Sequence, residues 1–223
     1  MAPKTRQGFI SELIGTFFLL LAVVGSGIMA QNLSPNDAGL QLLENSFATA
    51  GALICLILVF GSTSGAHFNP VVTLWARTEK LIGTRTAGFF MLAQVIGAIS
   101  GAMAANIIFE LDIVNWSTKD RTGWEIWLSE TIATFGLLMV IIGIVRSRKE
   151  QWAALAVAAY IAGAYFFTSS TSFANPAATA ARTFSDSFAG ISPASAPMFV
   201  LSQLVGCLLA LILMNITHPK CRS

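Results

Sequence analysis

Six apolar stretches, each near the length that carries an α-helix across a bilayer, constrain this chain more than any other feature of its sequence. A hydrocarbon core about 30 Å thick takes roughly 20 apolar residues in helical form. Stretches of that order lie at 9–30, 43–61, 87–109, 124–145, 152–167 and 196–216. Charged residues make up 11% of the chain and the mean hydropathy is +0.70, whereas a water-soluble domain carries roughly 25% charge. The chain therefore lacks the surface of a soluble protein and reads as an all-α membrane protein.

The basic residues fall in alternate connections. Lys4 and Arg6, then Arg77, Lys80 and Arg85, then Arg146, Arg148 and Lys149, then Lys220 and Arg222 sit at the ends assigned to the cytoplasm by the positive-inside rule. The other connections hold Lys119, Arg121 and Arg182 among acids that include Asp37, Glu44, Glu110, Asp112, Asp120 and Asp186. Both termini are expected inside. The first apolar run is long and is followed by no small-residue cleavage site, so it is not read as a cleaved signal peptide. A net charge of +2 gives no reason to expect nucleic acid as a partner. Cys55, Cys207 and Cys221 are odd in number and two lie in apolar runs, which argues against a disulfide framework.

Folding the sequence in half exposes an internal repeat. Ser11-Glu12-Leu13-Ile14-Gly15-Thr16-Phe17 matches Ser129-Glu130-Thr131-Ile132-Ala133-Thr134-Phe135, Asn69-Pro70-Val71 matches Asn175-Pro176-Ala177, and Gln94-Val95-Ile96-Gly97 matches Gln203-Leu204-Val205-Gly206. Each half, about 1–115 and 116–223 of a single domain, holds three spans. With an odd number, the second half runs through the bilayer inverted, and a site is expected at the midplane where the halves meet.

The Asn-Pro pairs indicate what that site is made of. Asn caps helix N-termini and Pro suits the first helical position, yet only short segments follow, 71–76 and 177–184. At 1.5 Å per residue these are half-helices. The Gly, Ser and Thr-rich stretches before them, 61–67 and 168–172, are irregular backbone, tolerated at membrane depth only where protein or a wet path covers it. Each capping Asn is expected to use its side-chain oxygen on the helix and leave its amide nitrogen free for a passing solute. Two helix N-termini facing each other disfavour cations and protons.

These features resemble the major intrinsic protein family of aquaporins and glycerol channels over nearly the whole chain. The resemblance implies six transmembrane helices plus two re-entrant half-helices in an inverted repeat, a homotetramer in the lipid bilayer of the bacterial plasma membrane, no cofactor and no metal. Asn175-Pro176-Ala177 is similar to the family's motif, and Asn69-Pro70-Val71 departs from it at Val71. Glu12 and Glu130 are similar to the family's buried acids, which hold the re-entrant backbone, although an intramembrane Glu also suits a proton relay. His67 is similar to the histidine before the first motif. The implied selectivity filter falls on Thr49, Gly163, Ser172 and Ala178. It lacks the family's Arg and any aromatic, so a wider, less selective constriction is expected than that of a water-selective channel. Glycerol, urea and metalloid acids such as arsenous acid or organoarsenicals, with water, are the implied solutes. Small filter residues are similar to those of bacterial channels associated with arsenic resistance.

Arg182 lies one helical turn beyond Ala178. It either reaches back toward the filter in place of the missing Arg, held by Asp186, or rivets the outer end of the half-helix to a loop. A secondary transporter shares the inverted-repeat plan but needs interior ion sites, for which only Glu12 and Glu130 stand as candidates. An enzyme is not expected, because neither His67 nor His218 has a metal-spaced or triad partner. Gly97 and Gly101 form a small-residue face suited to close helix packing, within one chain or between subunits.

Overall fold

The structure, a computed structural model, describes residues 3–219. Lys220, Cys221 and Arg222 lie outside the described residues. Eight α-helices follow in order: α1 (Pro3–Leu33), α2 (Ala38–Ser64), α3 (Pro70–Thr78), α4 (Thr84–Ile108), α5 (Trp124–Arg146), α6 (Ala153–Phe167), α7 (Pro176–Arg182) and α8 (Ala196–Thr217). Five of them, α1, α2, α4, α5 and α8, are long and apolar enough to cross a membrane. The fifth expected span, α6, is shorter. Its 15 residues cover about 22 Å, and a 3-10 turn at Glu150–Trp152 leads into it.

Local chemistry sets the ends. Asp37 caps α2 by accepting from the Leu40 amide at 2.9 Å, and Gly65, at φ 88°, closes that helix in the left-handed conformation. The bundle is held by two matching helix pairs, α1 with α4 and α5 with α8. In the first, a Cβ at Gly97 would collide with the Leu13 carbonyl and one at Gly101 with the Phe17 carbonyl; in the second, a Cβ at Gly206 would collide with the Thr131 carbonyl. The Gly97–Gly101 face is therefore used inside the molecule. Large apolar side chains such as Phe47, Leu92 and Ile108 point outward instead, as the lipid-facing side of a membrane bundle requires.

The short helices α3 and α7 lie within this bundle, and each is entered through a strained stretch. Gly65, Ala66 and Phe68 on one side, and Thr171, Ser172 and Ala174 on the other, all have positive φ between 47° and 88°. Such conformations cost on the order of 1–3 kcal/mol each for non-glycine residues and persist only when the surroundings over-determine them.

Candidate functional site

The determinants of those stretches are two carboxylates. Glu12, fully buried, accepts from Ser64 Oγ at 2.6 Å, the His67 amide at 2.9 Å, the Phe68 amide at 2.7 Å and Gln94 Nε2 at 2.7 Å. Glu130, also fully buried, accepts from the amides of Phe173 at 3.2 Å and Ala174, and from Gln203 Nε2 at 2.9 Å. Gln94 and Gln203 each donate on to the Thr73 and Thr179 hydroxyls at 2.8 Å. One acid, one glutamine and one threonine thus fix each re-entrant segment, on the same plan in both halves.

That plan aims the Asn-Pro pairs at each other. Asn69 accepts from the Val71 amide at 3.1 Å, and Asn175 from the amides of Ala177 at 3.0 Å and Ala178 at 3.2 Å, with Pro70 and Pro176 opening their helices. The amide nitrogens are not wholly free, in contrast to the expectation above. Asn69 Nδ2 donates to the Ala174 carbonyl at 2.7 Å and Asn175 Nδ2 to the Phe68 carbonyl at 2.8 Å. Each NH2 has two hydrogens, so one remains for a solute. Val71 turns away from this centre and packs with Leu138, Ile142 and Cys207. His67 Nδ1 lies 3.0 Å from the Thr73 hydroxyl.

One cavity of about 470 Å³ passes this centre. At one end it reaches Leu81, Glu150 and Gln151; past His67, Asn69 and Asn175 it continues to Thr49, Ser172, Ala178 and Arg182. Gly163 is not on its wall. The glycine is exposed on the outer side of α6, and the inward side presents Ile161 and Tyr165, four residues apart. The position implied by the family resemblance falls on the opposite face of the helix. Tyr165 brings a hydroxyl 3.1 Å from Thr49 Oγ1, and Phe173 adds a ring. That end of the cavity thus has the aromatics and an arginine that the implied filter positions lack.

Arg182 is 2% exposed. Its Nε donates to the Ala189 carbonyl, and its guanidinium carbon lies 3.3 Å from the centre of the Phe173 ring. The expected tie to Asp186 does not form. Asp186 accepts instead from the Thr118 amide at 2.9 Å and from the Thr118 hydroxyl, because the 115–121 segment runs beside 183–195 and reaches it first: the amides of Asn115 and Ser117 donate to the carbonyls of Phe184 and Thr183, and the Ser192 amide to that of Lys119. In that segment burial lowers Lys119 to about 8, aided by repulsion from Arg121 and Arg182 and opposed by Asp186. Burial likewise brings Arg121 down to about 10. Hydrogen bonds from Thr122 and then Ser195 hold the exposed Asp120 carboxyl below its ordinary value. No sequence pattern marks Tyr165, Phe173 or Arg121; only the fold brings them here.

The family model described as "Major intrinsic protein" matches residues 2–172. The chain belongs to the major intrinsic protein family. It is 45% identical over 206 residues to the aquaglyceroporin AqpS of Rhizobium meliloti (strain 1021), with 92% of this chain and 88% of that one covered. It is 28% identical over 233 residues to the aquaporin AqpM of Methanothermobacter thermautotrophicus, with 90% and 93% covered. The X-ray structure of the aquaglyceroporin from Plasmodium falciparum superposes with a TM-score of 0.74 over 96% of both chains at 18% identity, which establishes a common fold. This member of the family is a multi-pass membrane protein and a passive channel for small uncharged solutes.

Proposed function

We propose that this channel passes neutral solutes of glycerol size together with water. The observation that carries the reading is one cavity lined from both half-helices, polar at the crossed asparagines, at Thr49, Tyr165, Ser172 and Arg182, at His67 and at Glu150 and Gln151, with apolar wall over most of the rest. Such a wall replaces the hydration of a polyol at a few points and holds no site tight enough to trap it. Asn69 and Asn175 are the central donors, with Pro70, Val71, Pro176 and Ala177 as their supports. Thr49, Ser172, Ala178 and Arg182, joined by Tyr165 in place of Gly163, bound the outer constriction, and His67 lies on the other side. The name of the AqpS relative points to glycerol; urea and uncharged metalloid acids fit the same wall.

Glu12 and Glu130 are occupied by backbone and side-chain donors, which supports a channel over an ion-coupled carrier and over a catalyst. We read residues 1–223 as one domain whose halves meet near residue 115, assembled as a homotetramer in a bacterial plasma membrane with both termini in the cytoplasm. The clasp of Arg146 on Glu79, on the carbonyls of Met214 and His218 and on Asn215 gathers the C-terminal ends of α3, α5 and α8, the first two of which carry Arg77 and Arg146, in keeping with that orientation. Stopped-flow shrinkage and swelling of proteoliposomes with water, glycerol, urea and arsenous acid tests the reading. Glycerol flux that is unsaturable and free of trans-acceleration is expected; saturable counterflow, or water flux without glycerol flux, overturns it.

A further inference from the structure

We infer that Arg121, on the connection between α4 and α5, is a positioning residue for the outer mouth: it fixes the acceptor and the ring that hold Arg182, and so helps decide which solutes pass and how well cations are kept out. The inference rests on the channel reading above.

Arg121 is 7% exposed, and no carboxylate forms a direct ion pair with it among the described residues, Glu130 attracting it only from longer range. Burying a charge without a directly paired counter-ion is costly unless its hydrogen bonds are met. Here they are met by carbonyls: Nε donates to Gly190 at 2.9 Å, one terminal nitrogen to Ser170 at 3.2 Å and the other to Phe188 at 3.4 Å. The choice of carbonyls is informative. Phe188 and Gly190 flank Ala189, whose carbonyl receives Arg182 Nε, and Ser170 immediately precedes the strained Thr171 and Ser172 that lead to Phe173. A rigid guanidinium fork thus pins both neighbours of the Arg182 acceptor to the segment that carries the ring under Arg182.

The two cations also share that ring. Arg121 lies 5.1 Å and Arg182 3.3 Å from the Phe173 centroid, close enough for mutual repulsion. The face of an aromatic ring attracts both and offsets that repulsion in part. Only Arg182 lines the cavity, and beyond Nε its guanidinium has no hydrogen-bond partner among the described residues. Its terminal donors are therefore presented to solutes, while Arg121 acts from behind. Arg121 is the fixed support and Arg182 the group that meets the permeant.

The test is a double-mutant cycle on the full chain in proteoliposomes: R121Q, R182Q and both together. Melting temperature reports folding. Water-normalised flux of glycerol, erythritol and xylitol reports solute ranking, and a trapped pH dye reports proton leak. R121Q is expected to change the polyol ranking several-fold and raise the leak in the same direction as R182Q, and to add nothing in the R182Q background. R121K, which keeps the charge without the fork, is expected to fall between wild type and R121Q. Wild-type ranking and leak in folded R121Q, or effects that multiply in the double variant, overturn the inference. If R121Q does not fold, R121K and F173L carry the same comparison; if none of the three folds, Arg121 serves folding alone and the inference falls. Should wild type not pass glycerol, the proposed solute class fails, and the leak measurements still decide the role of Arg121.

Discussion

Replacing Glu12 by glutamine separates a structural acid from a proton relay. The carboxylate accepts four donors, two on each oxygen. In the E12Q variant the amide NH2 takes the place of one oxygen and faces two of those donors. The partner side chain on that side can adapt, Ser64 by turning its hydroxyl or Gln94 by flipping its amide, but the backbone amide of His67 or Phe68 cannot. One buried N–H is left without an acceptor, at about 1–3 kcal/mol, and the surviving bonds lose their charge assistance at about 1 kcal/mol each. The expected loss is roughly 3–5 kcal/mol, which for a chain of this size lowers the melting temperature by about 10 °C. The same loss weakens the restraint on Ala66 and Phe68, whose backbones have φ of 48°. Purified protein in detergent, heated and then assayed for monodisperse recovery by size exclusion, measures the shift. Solute flux at permissive temperature, followed across a pH series, is expected to keep the wild-type pH profile. An E12Q protein with unchanged melting but abolished or pH-altered flux would refute this reasoning and make Glu12 a relay.

Three further outcomes are expected. Combined T49F and A178R should narrow the outer constriction and cut glycerol flux by roughly tenfold, about 1.4 kcal/mol of barrier, with water spared; equal loss of both fluxes counts against Thr49 and Ala178 as filter residues. G97A should destabilise by about 1–3 kcal/mol, since its methyl would meet the Leu13 carbonyl; a melting temperature equal to wild type would contradict the close α1–α4 approach. Lys119, lowered from 10.5 to about 8, binds its proton less well folded than unfolded. Its penalty is fully present below pH 8 and is relieved as pH rises from about 8 toward 10.5. The melting temperature of K119M relative to wild type should therefore be higher at pH 7 and converge as the pH is raised, and a constant difference would show that Lys119 is not perturbed.

Much of the fold could be read in the sequence because bilayers demand long apolar helices and because Asn-Pro pairs announce helix starts through local bonds alone. The acids and glutamines were legible for a different reason: Glu12 and Gln94 recur as Glu130 and Gln203, and a repeat displays a long-range network as a local pattern. The end of the cavity at Arg182 offered neither aid. The α6 sequence is apolar on every side, so no periodicity distinguishes the face of Tyr165 from that of Gly163. Arg121 reaches residues 170, 188 and 190 from a connection with no repeat partner. Asp186 lies at helical spacing from Arg182, but the helix ends at Arg182, so the i, i+4 relation never forms.

The crossed bonds at the centre bear on how the chain is made. The Asn69 amide finds its carbonyl 105 residues further along, at Ala174, and the Phe68 carbonyl waits for Asn175, 107 residues on. Until the second half's re-entrant turn has been made, these two polar groups of the first half therefore lack the partners they have in the folded channel. Each half completes the other's hydrogen bonding, so a chain that ends before residue 174 leaves the Asn69 amide and the Phe68 carbonyl without these two partners.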